Sequence, residues 1–168
     1  MSKTKLVMGN TFEYNPDRLN VLSSGGGTQS NAIICLIHAG ELPKPDIIIM
    51  SDTEREASNV FTYQQNYIQP LCDDMGIEYV FVKKSEFATY DLVGPSNEPL
   101  PGYFSELNGR KKDGCCSGKK PAFCSDKWKR DVIQRYLNKR YGEKELTKRG
   151  VDMWMGISID EPRRVRMT

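Results

Sequence analysis

Gly25, Gly26 and Gly27 stand together in LSSGGGTQSNAII, residues 22–34, between a run with the look of a strand and a run with the look of a helix. The chemistry served by bare backbone at such a junction is the binding of an anion. Glycine accepts positive φ and lets a ligand come close to the main chain. The first-turn N–H groups of the following helix have no intrahelical partner and point outward with the positive end of the helix dipole. Together they make a phosphate cradle, to which Thr28 and Ser30 would add hydroxyls and Gln29 an amide. The competing reading is a plain turn in which Thr28 caps the helix. The loop is not a Walker A sequence, since no Gly-Lys-Ser/Thr follows, and it is not GxGxxG.

Other reactive side chains are weaker signals. Cys115, Cys116 and Cys124 do not have the spacing of a CxxC zinc or ferredoxin pattern, so neither zinc nor an iron–sulfur cluster is expected and no metal ligand is assigned. His38, the single histidine, sits among apolar residues of a predicted helix and reads as structural. The basic run GRKKDGCCSGKK, residues 109–120, is either a solvated loop or a guide for a nucleic-acid acceptor.

The elements that must position these groups follow from hydrophobic patterning. Leu19–Ser24, Asp46–Asp52, Glu78–Lys83 and Met153–Ser158 are short, nearly continuous apolar runs, the mark of strands buried on both faces. Ala32, Ile33, Leu36 and Ile37 predict a helix closed by Gly40. Val60, Tyr67, Ile68, Leu71 and Met75 predict a second helix from about Glu56 to Met75, kinked at Pro70. A third, from about Ser125 to Tyr141, carries Trp128, Val132, Ile133, Tyr136 and Leu137 on one face. Strands alternating with helices predict an α/β fold with an open parallel sheet. Residues 85–121, rich in glycine and proline, interrupt the pattern as a long loop insertion.

With 168 residues, 38% of them hydrophobic, the chain is long enough for one domain spanning residues 1–168. A net charge of +2 excludes a strongly basic nucleic-acid binder and an acidic tail. No window approaches the roughly eighteen apolar residues of a membrane span, and the N-terminus lacks a signal-peptide pattern. Five cysteines without such a signal predict free thiols. The expectation is a soluble, cytoplasmic protein with no membrane partner.

Four blocks in order, SSGGGTQS followed by a helix, DIIIMSDTE, CSDKWKRDVIQRYL and MWMGISIDEPRRVRM, resemble the phosphoadenosine phosphosulfate (PAPS) reductase family. That family belongs to the adenine-nucleotide α-hydrolase superfamily, with a Rossmann-like fold and a phosphate loop called the PP-loop. The resemblance covers about Val21 to Arg166. The loop departs from the SGGxDS form by Gly25 and Gln29 and is similar to the SFGGGVQS form of phage and bacterial relatives, which implies a bacterial or phage-infected bacterial cell as the setting.

What the resemblance implies is a nucleotide site. Ser24, Gly25, Gly26, Gly27, Thr28, Gln29 and Ser30 would hold the phosphates. Asp52 and Thr53 match an Asp-Thr pair whose aspartate would meet ribose, adenine or Mg2+, although either residue also suits a helix N-cap. Gly156 would let backbone approach the ligand, and Asp160, Glu161 and Arg164 would face the nucleotide. Cys124 matches the cysteine of a CTxxYK block, with Val132 where the family has proline. A helix N-terminus beside lysines would lower its thiol pKa, while a small buried cysteine is the other reading. Lys129 and Arg164 would supply cations to phosphate or sulfate.

The implied activity is cleavage of ATP at the α-phosphate with release of pyrophosphate, transferring AMP or sulfur to a nucleic-acid or protein acceptor. PAPS or adenylyl-sulfate reduction, with Cys124 attacking sulfur, is the second implied activity. A non-catalytic nucleotide-binding or sequestering protein is the third. A homodimer is compatible with each. PAPS reductases proper continue past the last block to a redox cysteine, whereas the sequence ends at Thr168, so a short or truncated form without that tail is expected.

Overall fold

Four strands make the central sheet of the computed structural model, which describes residues 5–7, 10–12, 14–54, 56–87 and 126–158. They are β3 (Leu19–Ser24), β4 (Ile47–Asp52), β5 (Glu78–Lys83) and β6 (Val151–Met155). All run parallel in the order β5-β4-β3-β6, an open sheet flanked by helices. The two inner strands are buried almost throughout, and the two outer ones only in part. Their sequences differ accordingly: LNVLSS has no charge and IIIMSD has one only at its last residue, Asp52, whereas EYVFVK is charged at both ends and VDMWM has Asp152 inside it. Upstream, β1 (Lys5–Val7) and β2 (Asn10–Phe12) form a separate antiparallel pair that the apolar runs did not predict.

The helices follow the strands. α1 (Thr28–His38) leaves β3, and beyond its last residue Gly40 takes φ +73°. α2 (Ser58–Tyr63) widens into a π turn, Gln64–Ile68, before α3 (Gln69–Asp74). Pro70 lies in the first turn of α3; it has no N–H for the preceding turn and crowds its carbonyl, which is where the regular ladder gives way. The expected kink is therefore a change of helix type. α4 (Lys84–Phe87) is one turn, and a second π turn, Asp126–Arg130, leads into α5 (Asp131–Tyr141) and α6 (Glu143–Arg149). Residues 88–125, which include most of the predicted loop insertion of residues 85–121, lie outside the described residues.

The last strand departs from expectation. It spans Val151–Met155 in place of Met153–Ser158, because its register runs from Leu19 opposite Val151 to Ser23 opposite Met155. The edge begins at Gly150, whose carbonyl accepts the Leu19 N–H at 3.0 Å. Asn20, a buried polar residue near the start of β3, is satisfied: its amide nitrogen donates to the carbonyls of Asn15 and Arg18, and its oxygen accepts from the Trp154 indole.

Two compact units are distinguished, one made of Met1–Met50, Ala57–Phe81 and Leu137–Thr168, the other of Ser51–Glu56 and Val82–Tyr136. The first holds a core in which Leu22, Ile34, Ile48, Ile68 and Cys72 meet. In the second, Trp128, Val132 and Ile133 are buried; the Ser51 hydroxyl donates to the Trp128 carbonyl at 2.6 Å and the Lys84 ammonium lies over the Trp128 ring.

Candidate anion-binding loop

The turn from β3 into α1 leaves a cluster of main-chain donors open. Gly27 is the N-cap residue, with extended backbone (φ −94°, ψ 179°), and no side chain among the described residues caps the helix. Thr28 is the first helical residue, so the reading in which it caps the helix does not hold. The ladder starts with the Asn31 N–H on the Gly27 carbonyl at 3.1 Å. Gly25, Gly27, Thr28 and Gln29 are exposed, and their N–H groups meet no acceptor among the described residues. Helix N-termini without a cap are sites for anions.

Beneath the loop lies a buried polar network. The Gly26 N–H donates to Ser24 Oγ at 3.2 Å, and the Gly26 carbonyl accepts from Gln64 Nε2 at 3.1 Å. Tyr79 Oη donates to Gln64 Oε1 at 2.9 Å and stands 3.3 Å from Ser24 Oγ. Ser24 Oγ is also 3.3 Å from Ser30 Oγ, whose proton goes to the Gly27 carbonyl at 3.1 Å. The hydroxyls of Ser24 and Ser30 are thus turned inward; Ser30, expected to donate to a phosphate, spends its hydroxyl on the loop itself. Burial pushes the Tyr79 phenol up to about 12, with the Ser24 hydrogen bond opposing and the charge of Cys72 adding to the rise. Gln64 and Tyr79 were not among the predicted site residues. A signal for Gln64 existed: it falls midway between Val60 and Ile68 at i+4 spacing, a polar residue on the apolar stripe of its helix.

Gly26 has φ +69°, and a Cβ built on it would come within 2.8 Å of both Met50 Cε and Val60 Cγ1. Gly156 is just as constrained: a Cβ there would lie 2.8 Å from the carbonyl carbon of Gln29 and the amide nitrogen of Ser30. Its expected role was to admit a ligand, and what it admits is the first turn of α1. This contact falls between β3 and β6, where the strand order reverses direction, the place at which open α/β sheets bind ligands.

In the second unit, Asp52 ends β4, and with Thr53 it begins a tight turn. Asp52 Oδ1 accepts the Glu54 N–H at 2.6 Å, and Glu54 has φ 59°. Asp52 therefore shapes this turn and does not cap α2, whose N-cap is Ala57. Buried Thr53 donates its hydroxyl to Glu56 Oε1 at 3.4 Å, and Lys129 Nζ donates to the same oxygen at 3.0 Å. Lys129, expected to meet phosphate or sulfate, is paired with Glu56. Cys115, Cys116, Cys124, Asp160, Glu161 and Arg164 lie outside the described residues.

Among the described residues no group of three His, Cys, Asp or Glu side chains is placed to hold a metal, and no helix is long and apolar enough to cross a membrane. His38 is on the surface, 3.2 Å from Asp74 Oδ2. Buried Cys72 is an unreactive thiol, pushed up to about 11 by burial and by the charge of Asp73. Comparisons with protein-family models, curated proteins and solved structures found no match.

Proposed function

We propose that the Ser24–Ser30 loop binds the phosphates of an adenine nucleotide, and that the chain is a PP-loop protein of the PAPS reductase family that cleaves ATP at the α-phosphate. The observation that carries the reading is the uncapped start of α1, with the N–H groups of Gly25, Gly27, Thr28 and Gln29 open beside it. A phosphate oxygen accepting from such a donor gains about 1.5–3 kcal/mol per charge-assisted bond, and the helix dipole adds about 0.3–1 kcal/mol. Supporting it are the position of the loop after the strand at the reversal of the sheet order and the four ordered blocks of sequence.

In the proposed reaction a nucleophile on the acceptor attacks the α-phosphorus and loses its proton. The bond from that phosphorus to the α,β-bridging oxygen breaks, and pyrophosphate leaves with the electron pair. Donors fixed in advance at the growing negative charge would lower the barrier. Mg2+ would accompany the nucleotide on its β- and γ-phosphates. The resemblance assigns the cations of this scheme to Arg164 and Lys129. The acceptor is a nucleic acid or a protein.

Incubation with labelled ATP and, separately, with PAPS tests the reaction, with pyrophosphate and sulfite as the products assayed. Pyrophosphate from ATP without sulfite from PAPS is expected, and Cys124→Ser should retain most of that release, since attack on phosphorus needs no thiolate. Sulfite from PAPS, abolished by Cys124→Ser, would replace this reading with sulfonucleotide reduction.

A further inference from the structure

Gly26 is held at both of its peptide groups, by Ser24 on the N–H and by Gln64 on the carbonyl, and Tyr79 links these two holders. We infer that Gln64 and Tyr79 are positioning residues that fix where α1 begins and therefore which way the loop's open N–H groups face. The consequence for affinity rests on the phosphate reading of the loop; the conformational claim does not.

The argument turns on one carbonyl. In a regular helix the N–H of residue i bonds the carbonyl of residue i−4, so the natural donor for the Gly26 carbonyl is the Ser30 N–H. In this structure Gln64 Nε2 takes that carbonyl, and the helical ladder starts one step later, with Asn31 on Gly27. Gly27 stays extended and its N–H stays open. Without the Gln64 donor, the Gly26 carbonyl would be left for Ser30, α1 would gain a residue, and the N–H groups of Gly27 and Thr28 would turn into line with the helix.

The π turn is what delivers Gln64 to this place. Gln64 opens the widened turn Gln64–Ile68 and is fully buried. A buried amide without partners costs about 1–3 kcal/mol for each group left unmade, so Gln64 is held to two partners, the Gly26 carbonyl and the Tyr79 hydroxyl. Single-turn π segments inside α-helices recur at functional sites, and this one carries a side chain to the backbone of a loop 38 residues earlier in the chain.

The test uses the full chain labelled with nitrogen-15, with Gln64→Met, which keeps the length and removes both hydrogen-bonding ends. The amide resonances of Gly26, Gly27 and Ser30 should move, and exchange of the Ser30 amide should slow as it gains an acceptor, while Leu146 and Val151 stay in place. Affinity for inorganic pyrophosphate should fall at least about tenfold, the loss expected for one charge-assisted hydrogen bond. Unmoved loop amides in a folded Gln64→Met would overturn the inference. If that variant does not fold, Tyr79→Phe decides: the same resonances moving by less supports it, and none moving overturns it. Wild-type protein that ignores pyrophosphate, with Gln64→Met still shifting the loop amides, would remove the phosphate reading and leave this inference standing.

Discussion

Gly25 and Gly26 are neighbours with opposite tolerances. Among the described residues nothing lies within 4 Å of a Cβ on Gly25, and its φ is not in the left-handed region, whereas Gly26 has φ +69° and is pressed by Met50 and Val60. Gly25→Val should therefore leave thermal unfolding within about 0.5 kcal/mol of wild type while its side chain screens the open N–H groups, lowering ATP affinity at least about tenfold, the loss of one charge-assisted bond. Gly26→Ala should destabilise the fold by about 1–3 kcal/mol through left-handed strain and crowding, measured by urea unfolding. Equal stability losses in the two variants would show that the loop is only a structural turn. The glycines were legible in sequence as a loop of special backbone, and the direction of their use was partly hidden. Nothing local shows that the Ser30 hydroxyl is turned in on Gly27, or that Gln64 reaches Gly26, since both depend on contacts made after folding.

At the scale of elements, Gly156, the residue after β6, meets the first turn of α1. Because the atoms facing Gly156 are the backbone of Gln29 and Ser30 and the Gln29 Cβ, which no rotamer moves, a methyl group there cannot be absorbed by a side-chain rotation. Gly156→Ala should cost about 1–3 kcal/mol by overpacking and shift the first turn of α1, so that melting temperature and ATP affinity fall together; calorimetric melting and a binding titration check this. An unchanged melting temperature would mean that Gly156 does not press on the first turn of α1 in this way. The strands Leu19–Ser24 and Glu78–Lys83 were readable to the residue because apolar content and turn residues bound them sharply. The last strand was misplaced by two to three residues because MWMGIS shows where apolar content lies and not where pairing with β3 starts. α6 was missed for a related reason: EKELTKR has Leu146 as its one buried residue, so it has no apolar stripe to reveal it.

Across the whole molecule, parallel α/β character was legible from alternation alone, but the order β5-β4-β3-β6 was not. Local pattern tells which segments are buried and is silent on which strand neighbours which. That order matters to the proposal because it sets the reversal between β3 and β6 beside the glycine loop, and such reversals are where open α/β sheets bind ligands. The central claim is that phosphate binds to the N–H groups of Gly25, Gly27, Thr28 and Gln29. Titration of the nitrogen-15-labelled protein with ATP, and in parallel with adenosine, measures this directly. The account predicts that ATP moves these four amide resonances to saturation while adenosine leaves them in place; ATP binding without movement of these amides, or equal movement by adenosine, would contradict it.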